Sequence, residues 1–306
     1  MLLLLFTELQ SLSILNIMQD QTAPSIAKMI LAAISFAVMA TFVKLASDTV
    51  SSIEVVFFRS ILGSLMIGAM IWKEGNSWIG RNPKILVLRG VFGFLALSLH
   101  FYAIAKLDLG TAVMLNYTAP IFVVIFARFI LNEKTTWKVN AAILLSFFGL
   151  YLLAGPQFQA KSIPIILGIL SGIFAALAYV FIRFNGENES SYTIIFYFTT
   201  ISTIGSLPLL PFGFHWPNAH EWFELIGVSV GAFFGQVYLT KSIQKAPVSF
   251  VLPFSYLTPV FCAGLSTIIW KEFLNPQGIL GGFIIIASGV AIYLFREKTP
   301  FVPLEE

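Results

Sequence analysis

From Ala27 onward the chain is written as apolar runs of about twenty residues, set apart by short clusters of charge, proline and glycine. About 20 mostly apolar residues in a helix are enough to cross the hydrocarbon core of a bilayer. The punctuation divides the chain into ten such runs, over 27–46, 53–72, 85–105, 110–131, 137–155, 163–183, 191–211, 223–242, 248–270 and 277–295. The pattern predicts an all-α integral membrane protein of ten transmembrane helices. The connections are short, which leaves no room for a soluble nucleotide-binding or catalytic module.

The polar positions repeat as well. YTAPIFVVIFARFILNEK (117–134) and YLTPVFCAGLSTIIWKE (256–272) share a Tyr-x-x-Pro start and a Glu thirteen residues after the proline. Sliding the chain along itself until Tyr117 falls on Tyr256 also aligns Ile30 and Leu31 with Ile169 and Leu170, Phe42 with Phe181, Ser51 and Ser52 with Ser190 and Ser191, and Lys106 with Lys245. Residues 27–155 and 163–296 thus read as two copies of five spans each. They are flanked by a segment 1–26 of uncertain role and a tail 297–306. An odd number of spans inserts the second copy upside down, giving the inverted repeat that lets a carrier expose one site to either side in turn.

Composition agrees: 58% of the 306 residues are apolar and 11% charged, with mean hydropathy +0.87, against about 25% charged in a soluble domain. With the N-terminus inside, thirteen Lys and Arg fall on the inner side and four on the outer. This bias predicts cytoplasmic termini, in a bacterial inner membrane. The loop 211–222, with no Lys or Arg, is expected outside. The opening stretch, MLLLLFTELQSLSILNIMQD, has no basic residue and carries Glu8, so it lacks the n-region of a secretory signal. The lone Cys262 excludes an intramolecular disulfide, and no basic run suggests a nucleic-acid surface.

Two five-helix halves, the run IEVVFFR (53–59) and a proline in each fourth helix followed by a terminal Glu resemble the EamA family of the drug/metabolite transporter superfamily. The resemblance implies a permease for small metabolites such as amino acids or their derivatives. IEVVFFR is also similar to a stretch in S-adenosylmethionine uptake carriers, which gives an alternative substrate class. Where the family pattern has Gly-Glu after the fourth helix, this chain has Asn132-Glu133 and Lys271-Glu272, and the tight turn there is put in doubt.

Candidate residues follow from the cost of polarity in lipid. Pro120 and Pro259 should kink their helices and free the carbonyls of Asn116 and Ser255, beside Tyr117 and Tyr256. Such groups should face protein or a wet cavity near mid-membrane, the alternative being a packing kink. Arg59, inside the second span, either binds substrate or snorkels to the interface. Gln236 and His100 are further cavity candidates or satisfied core groups. Glu133 and Glu272, at opposite faces, either cap the following helix or hold a basic residue across a gate. No cofactor or metal is expected; the partners are a small-molecule substrate and the bilayer, and oligomeric state is not legible. An intramembrane enzyme would need a catalytic pair in the spans. The aspartates, Asp20, Asp48 and Asp108, lie near or beyond helix ends, and neither His-Glu-x-x-His nor a phosphate-binding G-x-x-x-x-G-K-[ST] occurs. A receptor or scaffold would leave the inverted halves unexplained.

Overall fold

The computed structural model describes residues 22–107, 109–155, 162–212, 214–271, 273 and 275–295. Glu272, residues 1–21 and the tail 297–306 lie outside the described residues. Among the described residues, ten helical stretches are long and apolar enough to cross a membrane. The spans begin with helices Thr22–Ala46, Ser52–Glu74 and Pro83–Lys106, a divided fourth span, and Trp137–Ala154. They continue with Ser162–Asn185, Ser191–Ser206, Ala219–Lys245, a divided ninth span, and Pro276–Phe295. Helix starts at 52, 109 and 137 recur at 191, 248 and 276, the same offset that carries Tyr117 onto Tyr256, so the register read from side chains is also the register of the backbone.

The packing obeys the same exchange. The first span lies along the eighth and the third along the sixth, each pair being the other's image; the second pairs with the seventh and the fifth with the tenth. The images differ in chemistry. Gly227, Gly231 and Gly235 let the eighth span approach Phe42, Met39 and Phe36 of the first, whereas Phe92 of the third span stacks on Phe174 and Phe181 of the sixth. Helices in lipid gain little by burying apolar surface from one another, so close fit of small against large residues supplies the packing.

Local chemistry sets the helix ends. The second span starts in a capping box, with Ser51 and Glu54 exchanging hydrogen bonds, and Asn218 and Glu221 do the same for the eighth. Glu54 also accepts the His215 backbone amide at 2.8 Å and faces Nδ1 of His215 at 3.1 Å, tying the 207–218 connection to the second span. Asn132 and Lys271 have φ of 54° and 60°. The tight turn that the sequence put in doubt is therefore kept, with Asn and Lys in the left-handed conformation glycine adopts most readily.

The fourth and ninth spans are interrupted near their prolines. In the fourth, helix Leu109–Asn116 stops, Tyr117 and Thr118 form a turn in which Thr118 keeps helical dihedrals, and helix Ala119–Ile130 begins with Pro120 in its first turn. A proline there lacks an N–H that would have had no partner anyway. In the ninth span Val248–Val251 passes through a 3-10 stretch, Leu252–Tyr256, before helix Leu257–Trp270. A second proline, Pro253, adds to the interruption by Pro259.

Candidate functional site

The interruption of the fourth span is seated on small residues of the sixth. Gly172 of the sixth span lies against the carbonyls of Leu115 and Asn116, where a Cβ would sit 3.0 and 3.1 Å from the two oxygens. The Asn116 amide donates to Ser171 Oγ at 3.1 Å, and the Ser171 hydroxyl donates to the Gly168 carbonyl at 2.6 Å. Thr118 donates its hydroxyl to the Leu115 carbonyl at 2.6 Å, so part of the polarity at the break is satisfied locally. On the ninth span the Leu257 amide turns back to the carbonyls of Phe254 and Ser255, and Ser255 is half-buried. Tyr117 and Tyr256, equivalent residues of the two copies, meet with ring centroids 6.2 Å apart. Tyr256 is fully buried, and its hydroxyl has no hydrogen-bond partner among the described residues.

A second polar centre lies between spans two, three, seven and eight. Arg59 and Arg89 are 7% and 2% exposed, so neither guanidinium snorkels to an interface. Arg89 donates to the Gln236 side-chain oxygen at 3.3 Å. Both cations stand over the ring of Phe198, 5.8 Å (Arg59) and 4.5 Å (Arg89) from its centroid. Among the described residues neither arginine has a carboxylate within ion-pair distance, and neither Nε has a hydrogen-bond partner. Glu54, one turn before Arg59, is occupied by Ser51 and His215. A narrow cavity opens here, lined by Arg59, Ser60, Gly63, Thr199, Phe233 and Gln236 among others. Arg59, Gly63 and Ile67 are four residues apart and so present one helical face to it. The Arg89 side chain lies over Gly93, where a Cβ would meet its guanidinium and come within 2.7 Å of the Phe198 ring.

The structure therefore brings Arg59 and Gln236 together and pairs Tyr117 with Tyr256. His100 stands apart. It is eleven residues beyond Arg89, about 16 Å along the helix, its ring edges against Phe101, and its Nδ1 has no partner among the described residues. Arg89 itself was not singled out by the sequence. Six residues from the start of its helix it reads as one more cation of an inner loop, and only the opposing Gln236 and Phe198 reveal it as interior.

Of the two roles the sequence left open for Glu133, it does not take the first, capping the helix that follows. Thr136 does that, accepting the Val139 amide. The Glu133 carboxylate instead accepts the backbone amides of Val248 (3.1 Å) and Ser249 (3.2 Å), the first residues of the ninth span, and the Ser249 hydroxyl. Nε of Arg183, at the end of the sixth span, also donates to it at 3.3 Å. Arg183 Nη1 donates to the Gln244 carbonyl at 2.6 Å, and the Gln244 side-chain amide holds the carbonyls of Gly186 and Glu189. A carboxylate from the first copy thus clasps the sixth and ninth spans of the second at one face of the bundle, and Arg183 extends the clasp to the eighth.

Comparison with known proteins adds to this geometry. The family model described as the EamA-like transporter family matches residues 23–155 and 162–294. The chain is 33% identical over 265 residues to the pseudopaline exporter of Pseudomonas aeruginosa strain UCBPP-PA14, covering 86% of this chain and 93% of that protein. It is 31% identical to an uncharacterized transporter of Helicobacter pylori strain J99, over 88% of this chain and 94% of the relative. To an S-adenosylmethionine uptake transporter of Rickettsia prowazekii it is 26% identical, over 81% and 85%. A crystal structure 15% identical in sequence superposes with a TM-score of 0.76 over 90% of this chain and 96% of its own, which establishes a shared fold. Two matched halves, ten apolar spans and relatives named as transporters along nearly their whole length lead to one conclusion: the chain belongs to the EamA-like transporter family and is a secondary transporter of small metabolites.

Proposed function

We propose that the protein carries an amino-acid-derived metabolite with a carboxylate by alternating access, using the cavity between Arg59 and Gln236 as its binding site. One observation carries this reading: the buried Arg59 guanidinium lines a narrow cavity whose walls come from both copies, with no counter-ion among the described residues, and the Gln236 that faces it is held by a second buried arginine, Arg89. Burying a charge in a membrane is expensive, and such residues commonly mark substrate paths. Arg forms paired hydrogen bonds to a carboxylate in one plane, which matches the acidic group of an amino-acid derivative. Tyr117 and Tyr256 line the seam at which the copies move, with Asn116, Ser255, Pro120 and Pro259 shaping the breaks on either side.

The inner-loop bias in basic residues supports cytoplasmic termini, and it persists when the buried Arg89 is left out. On that orientation the Glu133 clasp closes the cytoplasmic side and acts as the inner gate. The relatives named as S-adenosylmethionine carriers support a second substrate class, but a sulfonium cation would face the same guanidiniums. Uptake and counterflow in proteoliposomes, with amino-acid derivatives and S-adenosylmethionine side by side, tests the reading. Carboxylate substrates should be transported, and Arg59→Lys and Gln236→Leu should slow them while the folded carrier remains. Unchanged kinetics in both variants would remove the cavity from the transport path.

A further inference from the structure

We infer that His215 is a proton-binding site of this carrier, and that its occupancy straps the second span to the eighth at the face carrying the 214–218 connection. The inference goes beyond the substrate reading and does not depend on what is carried. His215 stands between two carboxylates from different spans. Its Nδ1 lies 3.1 Å from Glu54 of the second span and its Nε2 lies 3.3 Å from Glu221 of the eighth. Both carboxylates are buried while the imidazole is 42% exposed, so the ring is the group open to water. A neutral imidazole donates from one nitrogen only, whereas the imidazolium donates from both. Without the second proton, one ring nitrogen points a lone pair at a buried carboxylate. With it, both contacts become charge-assisted hydrogen bonds, and one ring joins the two spans. Histidine is the side chain that ordinarily makes this change between about pH 5 and 8. Of the other charged groups toward this face, His220 pairs with Glu224 at 3.4 Å, Lys44 stands over the ring of Trp270, and Asp48 is exposed.

The backbone around His215 is already laid across both spans. The Asn218 amide donates to Glu221 at 2.7 Å, as the His215 amide does to Glu54. Phe214 stacks on Phe58 of the second span, and Trp216 sits edge-on to Trp222 of the eighth. These two spans supply Arg59 and Gln236 to the cavity, so joining their ends restrains its mouth at that face. The first copy has no counterpart. Its equivalent connection, 75–82, is held by the Thr193 hydroxyl, which donates to the Ser77 carbonyl at 2.6 Å. Thr193 is the equivalent of Glu54, and that connection contains no histidine. Proton control therefore acts from one side of the membrane only.

The test makes Phe58→Cys, beneath the strap, and Ala232→Cys, in the cavity wall, each in a Cys262→Ser background. An impermeant thiol reagent is applied to whole cells and to inside-out vesicles at about pH 7.5 and 5.5, within the range where histidine titrates. Each labelling rate is divided by that of the same cysteine variant carrying His215→Gln at the same pH, which cancels the pH dependence of the thiol itself. From the face carrying the connection, external if the termini are cytoplasmic, the two proteins should label alike at the higher pH. At the lower pH the ratio should fall about 10-fold at both cysteines, the effect of one charge-assisted hydrogen bond. Glu221→Gln keeps a side chain able to complete the capping box but removes the charge, and should flatten the response. His215→Lys, charged at both pH values, should label slowly at both. Thermal melting checks that each variant is folded, and Ala232→Cys decides alone where Phe58→Cys does not fold. A ratio indifferent to pH at both cysteines, from either face, would overturn the inference. A fall at Phe58→Cys without one at Ala232→Cys would overturn the control of the cavity. Labelling needs no substrate, so a carrier that fails to transport carboxylates would leave this result standing.

Discussion

At the scale of single residues, the cost of burying charge decides what the cavity can be. Arg59 was legible in the sequence because it stands seven residues into an apolar run, where a cation needs a reason. Its partners were not, since Phe198 and Gln236 are ordinary residues of other spans until the fold brings them together. Arg59→Lys keeps the charge but loses the planar fork of donors. Transport, measured as kcat/KM in proteoliposomes, should fall at least about 10-fold, the equivalent of roughly 1.4 kcal/mol. Gly93→Ala tests the neighbouring guanidinium without touching it. The new methyl would crowd Arg89 and the Phe198 ring, so substrate affinity should drop while the protein still purifies as a folded carrier. Unaltered affinity in Gly93→Ala would mean that Arg89 can move aside at no cost to binding.

At the scale of elements, the ten spans and their inverted repeat could be read because length, hydropathy and register are long-range patterns that single substitutions do not erase. The interruptions could be read only in part. A proline marks where a helix loses a donor, but whether the chain bends or breaks depends on what lies opposite. Here the fourth span turns at Tyr117 and Thr118 against Gly172, and Pro253 accompanies a 3-10 stretch in the ninth. Pro120→Ala should let helix continue across Tyr117 and Thr118, because alanine favours helix over proline by about 3 kcal/mol at an interior position. Turnover should fall more than the yield of folded protein. A variant with normal turnover would reduce the break to a packing feature. The turns after the fourth and ninth spans permit the opposite experiment. Lys271 holds a left-handed backbone at a cost of roughly 1–2 kcal/mol for a side chain with a Cβ. Lys271→Gly should therefore raise the melting temperature, whereas Asn132→Gly should raise it less, since Asn tolerates that conformation better.

At the scale of the whole molecule, the inverted repeat makes the two proposed gates equivalent in register and unequal in chemistry. Glu133 was legible as a gate candidate, but its partner Arg183 lies 50 residues away and Val248 and Ser249 lie 115 and 116 away, separations that no local pattern connects. Carrying each member of the clasp to its equivalent in the other copy gives Glu272, Lys44, Ala105 and Gly110 in place of Glu133, Arg183, Gln244 and Ser249. The equivalent positions at the opposite face thus supply neither the forked guanidinium nor the hydroxyl and amide side chains of the first. On a cytoplasmic-termini topology, the resting carrier should be closed inside. Reporter fusions at the C-terminus and in the 214–218 connection should give opposite signals, and an external C-terminus would reverse the argument. Glu133→Gln removes the charge that Arg183, two amides and one hydroxyl share. Hydrogen bonds to a charged group contribute about 1.5–3 kcal/mol, so the closed-inside population should fall roughly 10- to 100-fold relative to closed-outside. A cysteine at Ala232, in the cavity wall, reports the shift once Cys262 has been replaced by serine. In wild type an impermeant thiol reagent should reach it faster from outside. In Glu133→Gln, inside-out vesicles should label it faster than wild-type ones do. Equal labelling in the two proteins would mean that the clasp fixes the fold without controlling access, and the gate would have to be sought at the Tyr117–Tyr256 seam.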